Sequence, residues 1–258
     1  MAKSHTRAIT VCIFALVILL GLVLFSSGAS RFSISLQQQN NSMPRPKKEL
    51  GQRLQEIDAR VPSTAYDSPE PTNPEEKAKR WKKNKHYDRG NWVMKNPSNE
   101  GTRTIIDSHV FFALPALPTT ESDVIVTGDV LKSEAHLSND KSGVYSEFTI
   151  EVNEVLKGAI FTLSQTRRLT ISRPGGLVRY PSGHVERYEI SNQYMPATGK
   201  RYLFFLKAIP DTEDYEIVTG YDIGSERVQP LDGGQFESFR GKEVGSFINT
   251  VRDAIAKN

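Results

Sequence analysis

The chain has one cysteine, Cys12, so no intramolecular disulfide can form and a folded domain must be held by its core alone. Catalytic fingerprints are missing too. There is no Gly-x-Ser-x-Gly elbow, no phosphate loop and no dinucleotide-binding glycine pattern. Beyond the N-terminal region, His86, His109, His136 and His184 fall in four separate segments, without His-x-x-x-His or Glu-x-x-His spacing. No metal site and no cofactor are therefore expected. Apolar residues are also scarce, 38% of the chain, against the usual figure of about 45–50%.

The deficit is local, because residues 37–104 are polar and a normally apolar stretch follows. Charge divides the same way. Residues 1–107 hold 17 Lys/Arg and 10 Asp/Glu, whereas residues 108–258 hold 16 and 20. The C-terminal part is thus slightly acidic, which argues against a nucleic-acid face on it, since that affinity needs clustered Lys/Arg. No specific nucleic-acid partner is expected.

The first long feature is apolar. Lys3 and Arg7 precede Ala8 to Phe25, eighteen residues without a charge. As a helix this run is about 27 Å long, close to the hydrocarbon thickness of a bilayer. It exceeds the usual h-region of about 7–15 residues, yet Ser26-Ser27-Gly28-Ala29-Ser30 offers a cleavage site. Residues 1–30 are expected to be a signal anchor or a cleaved signal peptide, with the membrane as partner through residues 8–25. The positive-inside bias puts the N-terminus in the cytoplasm and the rest outside. Val11 before Cys12 is not the small residue that lipid attachment needs. A cysteine-poor exported chain fits a bacterial envelope protein, single-pass in the cell membrane, or periplasmic or secreted after cleavage.

Residues 31–104 read as a polar, partly helical linker. Leu50, Leu54, Ile57 and Val61 form one helical stripe, Pro62 ends it, and Pro69, Pro71 and Pro74 predict an extended tether. Residues 77–89 carry seven Lys/Arg with Trp81 and Tyr87 between them. Lys79, Arg80, Trp81, Lys82, Lys83 and Lys85 are the candidate electrostatic patch, for anionic lipid, a cell-wall polymer or nucleic acid bound without sequence preference. The competing reading is a solvated segment whose aromatics pack on the domain.

From residue 123 onward the hydrophobic period becomes two. Strands are expected at 123–131, 144–156, 168–172, 177–180, 184–190, 202–206, 215–221 and 227–231, with Gly128 a bulge and Pro181-Ser182-Gly183 a hairpin turn. Val244, Phe247, Ile248, Val251 and Ile255 then mark an amphipathic helix covering an edge or end of the sheet. The fold class is mainly β: residues 105–258 form a small OB-like barrel or sandwich with a C-terminal α-helix.

The run DVIVTGDVL, GVYSEFTIEVNEVLKG, LTISRPGG, MPATGKRYLFFLK and YEIVTGY resembles an uncharacterised family of exported or membrane-anchored bacterial β domains. More loosely it is similar to the netrin-like and metalloproteinase-inhibitor OB-fold barrels. The likeness covers about residues 120–232. It implies a barrel, and the missing cysteines separate the chain from the inhibitors. The first family implies no activity.

Two further features could bind. Arg173-Pro174-Gly175-Gly176 and Asp232-Gly233-Gly234 are either anion cradles or plain turns. Tyr180, His184, Arg187 and Tyr188 are the candidate ligand-binding group, on a polar hairpin expected to project. The leading expectation is a non-catalytic extracytoplasmic binding or interaction module, with an envelope protein or an anionic polymer as partner. The alternatives are an extracytoplasmic hydrolase-type enzyme and an electrostatic binder working through residues 77–89.

Overall fold

The computed structural model describes residues 59–88, 93, 103–108, 114–160 and 166–257. The expected membrane or signal helix and most of the 47–61 stripe lie outside these residues. Among the described residues no helix is long and apolar enough to cross a membrane.

Ten strands and two α-helices are described. The strands are β1 (Ser63–Ala65), β2 (Arg103–Ser108), β3 (Val124–Leu137), β4 (Val144–Lys157), β5 (Arg168–Pro174), β6 (Gly176–Arg179), β7 (Val185–Ile190), β8 (Arg201–Ala208), β9 (Tyr215–Asp222) and β10 (Gln229–Pro230). The helices are α1 (Pro74–His86) and α2 (Val244–Ala256). The fold is mainly β with a C-terminal helix, as the period-two pattern predicts.

The larger sheet runs β10-β9-β5-β4-β3-β8, and β8 also pairs with β9. Its pairings are antiparallel except β5–β9. The smaller sheet runs β1-β6-β7-β2, with β1–β6 and β2–β7 parallel and β6–β7 antiparallel. β3 serves two neighbours, β4 along its length and β8 along its first half. Three register shifts between β3 and β4, one of them at Thr127/Gly128, bend the strand so that it can do so. A Cβ at Gly128 would sit 2.9 Å from the Glu151 carbonyl oxygen, so the bulge requires glycine.

The continuous apolar run in β8 follows from its position. Tyr202, Phe204 and Leu206 join one core cluster with Val126, Phe148, Ile150 and Ile171. Leu203 and Phe205 point the other way, into a second cluster with Phe247 and Val251 of α2. Both faces are dry, so alternation disappears. Glu243 starts α2 by accepting hydrogen bonds from the backbone of Gly245 (2.7 Å) and Ser246 (2.6 Å). Phe247 and Val251 are completely buried, and Val244, Ile248 and Ile255 pack beside them.

The polar stretch before the β domain is more ordered than a tether. Ser63–Ala65 pairs with β6, and Pro74, expected to extend the chain, opens α1 instead. Asn73 caps that helix through its side chain, accepting from Glu75 N at 2.8 Å. Pro74 in the first turn, acids at 75–76 and bases at 83 and 85 suit the helix dipole. The missing apolar stripe hid α1, because its docked side carries charge.

Candidate functional site

α1 lies against β4 through a carboxylate. Glu147, buried on β4, receives Arg80 Nη1 at 2.5 Å and Lys83 Nζ at 3.0 Å. Lys83 Nζ also reaches Asp214, in the β8–β9 turn, at 2.6 Å. His136 Nε2 on β3 lies 3.4 Å from the second Glu147 oxygen. Burial alone would push the Glu147 carboxyl up. Contact with His136 and the charges of Lys83 and Arg80 outweigh it and hold the group at about 2. Asp214, with Lys83 as its main counter-charge, is held above its usual value because burial dominates there.

Aromatic contacts complete the docking. Tyr145, buried on β4, donates to Asn84 Oδ1 at 2.6 Å and accepts from Arg80 at 3.4 Å. Tyr87, at the end of α1, shares a 2.8 Å hydroxyl–hydroxyl hydrogen bond with Ser172 of β5. Burial and the nearby Glu216 carboxylate raise the Tyr87 phenol well above its usual range.

The candidate patch therefore divides. Arg80 and Lys83 are consumed by acids beneath the helix, while Lys79, Trp81, Lys82 and Lys85 are exposed. Lys85 Nζ sits 5.5 Å from the Trp81 ring centre. Of the two aromatics expected to pack on the domain, Tyr87 does and Trp81 does not.

The group at 180–188 is buried rather than projecting. Tyr180 pairs across the hairpin from His184, and His184, Glu186 and Tyr188 share one parity of the chain. Glu186, 0% exposed, is their common partner. The phenols of Tyr180 (2.7 Å) and Tyr188 both donate to its Oε2, and His184 Nε2 lies 3.2 Å from Oε1. Burial and the Glu186 hydrogen bond push the Tyr180 phenol up. Arg187 has the opposite parity and pairs with Glu189 at 3.0 Å. Three of the four residues thus converge, and Glu186 between them is the member that the sequence reading missed. Its signal was the alternation: an acid of the same parity as His184 and Tyr188 must share their face.

A second buried pair was also missed. Arg173 of β5 donates twice to Asp232, at 2.7 and 2.8 Å, with the two side chains 1% and 3% exposed. Thr219 (2.8 Å) and the Tyr194 backbone N–H (3.2 Å) also donate to that carboxylate. The glycine pairs beside these residues serve the chain path. Gly175 N donates to the Val144 carbonyl at 2.8 Å, and Gly233 N to the Asn192 carbonyl at 2.9 Å. Gly175 and Gly176 have φ of 103° and 148°, which carries the chain from β5 in one sheet to β6 in the other.

Two larger open clefts border α1. One, of about 950 Å³, lies against Lys132, Glu134 and the turn at Asp211–Asp214. The other, of about 580 Å³, lies between Trp81, Tyr66 and the β3–β4 turn at Ser138–Lys141. No group of three or more His, Cys, Asp or Glu suited to a metal occurs among the described residues. No family model and no curated protein matches the chain.

Proposed function

We propose that the chain is a membrane-tethered binding module, displayed on the extracytoplasmic side of a bacterial membrane on an OB-like barrel. The barrel reading rests on strand order. β8-β3-β4-β5 is the 4-1-2-3 arrangement of a Greek key, and β9 pairs with both β5 and β8. A five-stranded Greek-key barrel of this kind binds its ligands on the face of its second and third strands and at the adjoining turns. Here those strands are β4 and β5.

The observation that carries the binding reading is the position of α1. It lies on the β4–β5 face, held by Glu147, Tyr145 and Ser172, and is bordered by clefts at the β3–β4 and β8–β9 turns. Two of its cations, Arg80 and Lys83, are spent on the domain, which favours a module that binds through these clefts over a free electrostatic helix. The eighteen uncharged residues at 8–25 supply the tether or the export signal.

Cell fractionation tests the reading. Full-length protein with a C-terminal tag is expected in the membrane fraction or outside the cytoplasm, and protease added to intact spheroplasts is expected to remove the tag. Soluble, full-length protein in the cytoplasm would overturn the proposal.

A further inference from the structure

We propose that the cleft between Trp81 and the β3–β4 turn binds an uncharged oligosaccharide. The inference deepens the binding-module reading and rests on it. At about 580 Å³ the cleft falls within the size range of small-ligand sites. Trp81 on its wall is 54% exposed. A large ring left in water beside a cleft suits a partner with a flat apolar face and a polar rim, which is the shape of a pyranose.

Charge excludes the main competitor. The cleft is lined by two acids, Glu70 and Glu134, two bases, Arg80 and Lys141, and one imidazole, His136. All five are engaged within the protein, His136 Nε2 lying 3.4 Å from Glu147. Glu70 holds Lys77 at 2.5 Å, Glu134 holds Lys132 at 2.7 Å, and Arg80 holds Glu147. Lys141 donates to the Tyr66 carbonyl at 3.1 Å and lies over its ring at 4.9 Å. A polyanion needs several uncommitted cations; the lining residues of this cleft supply none, and Lys85 beside the Trp81 ring is a single charge.

What remains for a ligand is neutral. Asn84 Oδ1 is taken by Tyr145, which leaves its amide N–H groups as donors. Asn139 donates to the Trp81 carbonyl at 2.8 Å, which leaves its own carbonyl as acceptor. An indole flanked by one amide donor and one amide acceptor matches the C–H face, hydroxyls and acetamido groups of a neutral sugar. The larger cleft differs. It is lined by ten charged residues and contains no aromatic side chain.

The test uses the full-length chain in a zwitterionic detergent without a sugar headgroup, carrying Trp92→Phe so that Trp81 is the sole indole. Titration with the β-1,4-linked tetramers of N-acetylglucosamine and of glucose is expected to give a saturable change in Trp81 emission for at least one, with a Kd of about 1 mM or tighter. Saturation-transfer NMR of that sugar is expected to show at least tenfold weaker binding to Trp81→Ala. The melting temperature of the variant should stay unchanged, because the ring is exposed. Absence of a saturable response to both tetramers would overturn the proposal. So would undiminished binding by Trp81→Ala, or tighter, salt-sensitive binding of an oligothymidylate. If the sugars fail while the chain still resides outside the cytoplasm, the saccharide assignment falls and the displayed module stands.

Discussion

The ring of Tyr87 lies flat on that of Tyr145, with centroids 4.0 Å apart and planes 11° from parallel. One ring ends α1 and the other belongs to β4, so the stack is where the basic segment becomes part of the domain. Stacked aromatic pairs contribute about 0.5–1.5 kcal/mol beyond their buried area. Truncating a buried aromatic to alanine costs about 3–5 kcal/mol. Tyr87→Ala is therefore expected to lower the melting temperature and to expose the 74–86 segment to trypsin. Unchanged proteolysis would refute the anchoring role.

The cations of α1 should separate by position. Replacing Lys79, Lys82 and Lys85 together by alanine is expected to leave thermal stability within about 1 kcal/mol, since all three are exposed. Lys83→Met leaves Asp214 without its main counter-charge and removes one from Glu147, and should cost about 3 kcal/mol or more. Chemical denaturation of the two variants decides the matter. Equal losses would contradict the geometry.

Acid should loosen the same contact. The Glu147 carboxyl sits at about 2 in the folded chain against an ordinary value of 4.5. A depressed carboxyl pKa stabilises the fold fully above the unfolded value, and that stability is lost as pH falls through the folded value. The contribution is on the order of 3 kcal/mol, fading between about pH 4.5 and pH 2. Asp214, whose pKa is raised, acts in the opposite sense and blunts the slope. Stability measured against pH for Glu147→Gln should fall less steeply across this window than for the unaltered chain.

The buried Arg173–Asp232 pair makes a sharper case. Asp232→Asn leaves an uncompensated guanidinium in the interior, and losing one partner of such a pair typically costs about 3–5 kcal/mol. Replacing Arg173 by Met and Asp232 by Leu together should cost less than Asp232→Asn alone. Urea unfolding of the two variants gives the comparison.

Helix α2 is expected to be structural. Phe247 is fully buried beside Tyr221, with ring centroids 4.7 Å apart. Phe247→Ala with Ile248→Ala should remove several kcal/mol from a total of about 5–15 and unfold the chain at modest temperature. An unchanged melting curve would mean that the stripe faces a partner instead.

How much of this was legible varied with the physics that set each element. β4 announced itself by alternation, although only residues 149–153 alternate in exposure and residues 144–148 are buried on both faces, and β8 by its unbroken apolar run. The stripe of α2 gave the helix directly. α1 was obscured because ion pairs hold it down, and Lys83 reads as a surface residue until Glu147 and Asp214 are placed beneath it. Its start was written in Asn73-Pro74-Glu75-Glu76. The hairpin at 180–188 looked polar and therefore exposed, yet its phenols and imidazole pair with Glu186 in the interior. Composition shows polarity but not which polar groups satisfy one another.

The smaller sheet has a consequence for the order in which the chain can be completed. β1 and β2 emerge first during synthesis, but their partners β6 and β7 begin only at Gly176. The early strands must wait unpaired for more than half of the remaining chain, and non-local parallel pairing is intrinsically slow. In a chain made from its N-terminus, β1 and β2 therefore present open strand edges long before the β6–β7 hairpin that closes them.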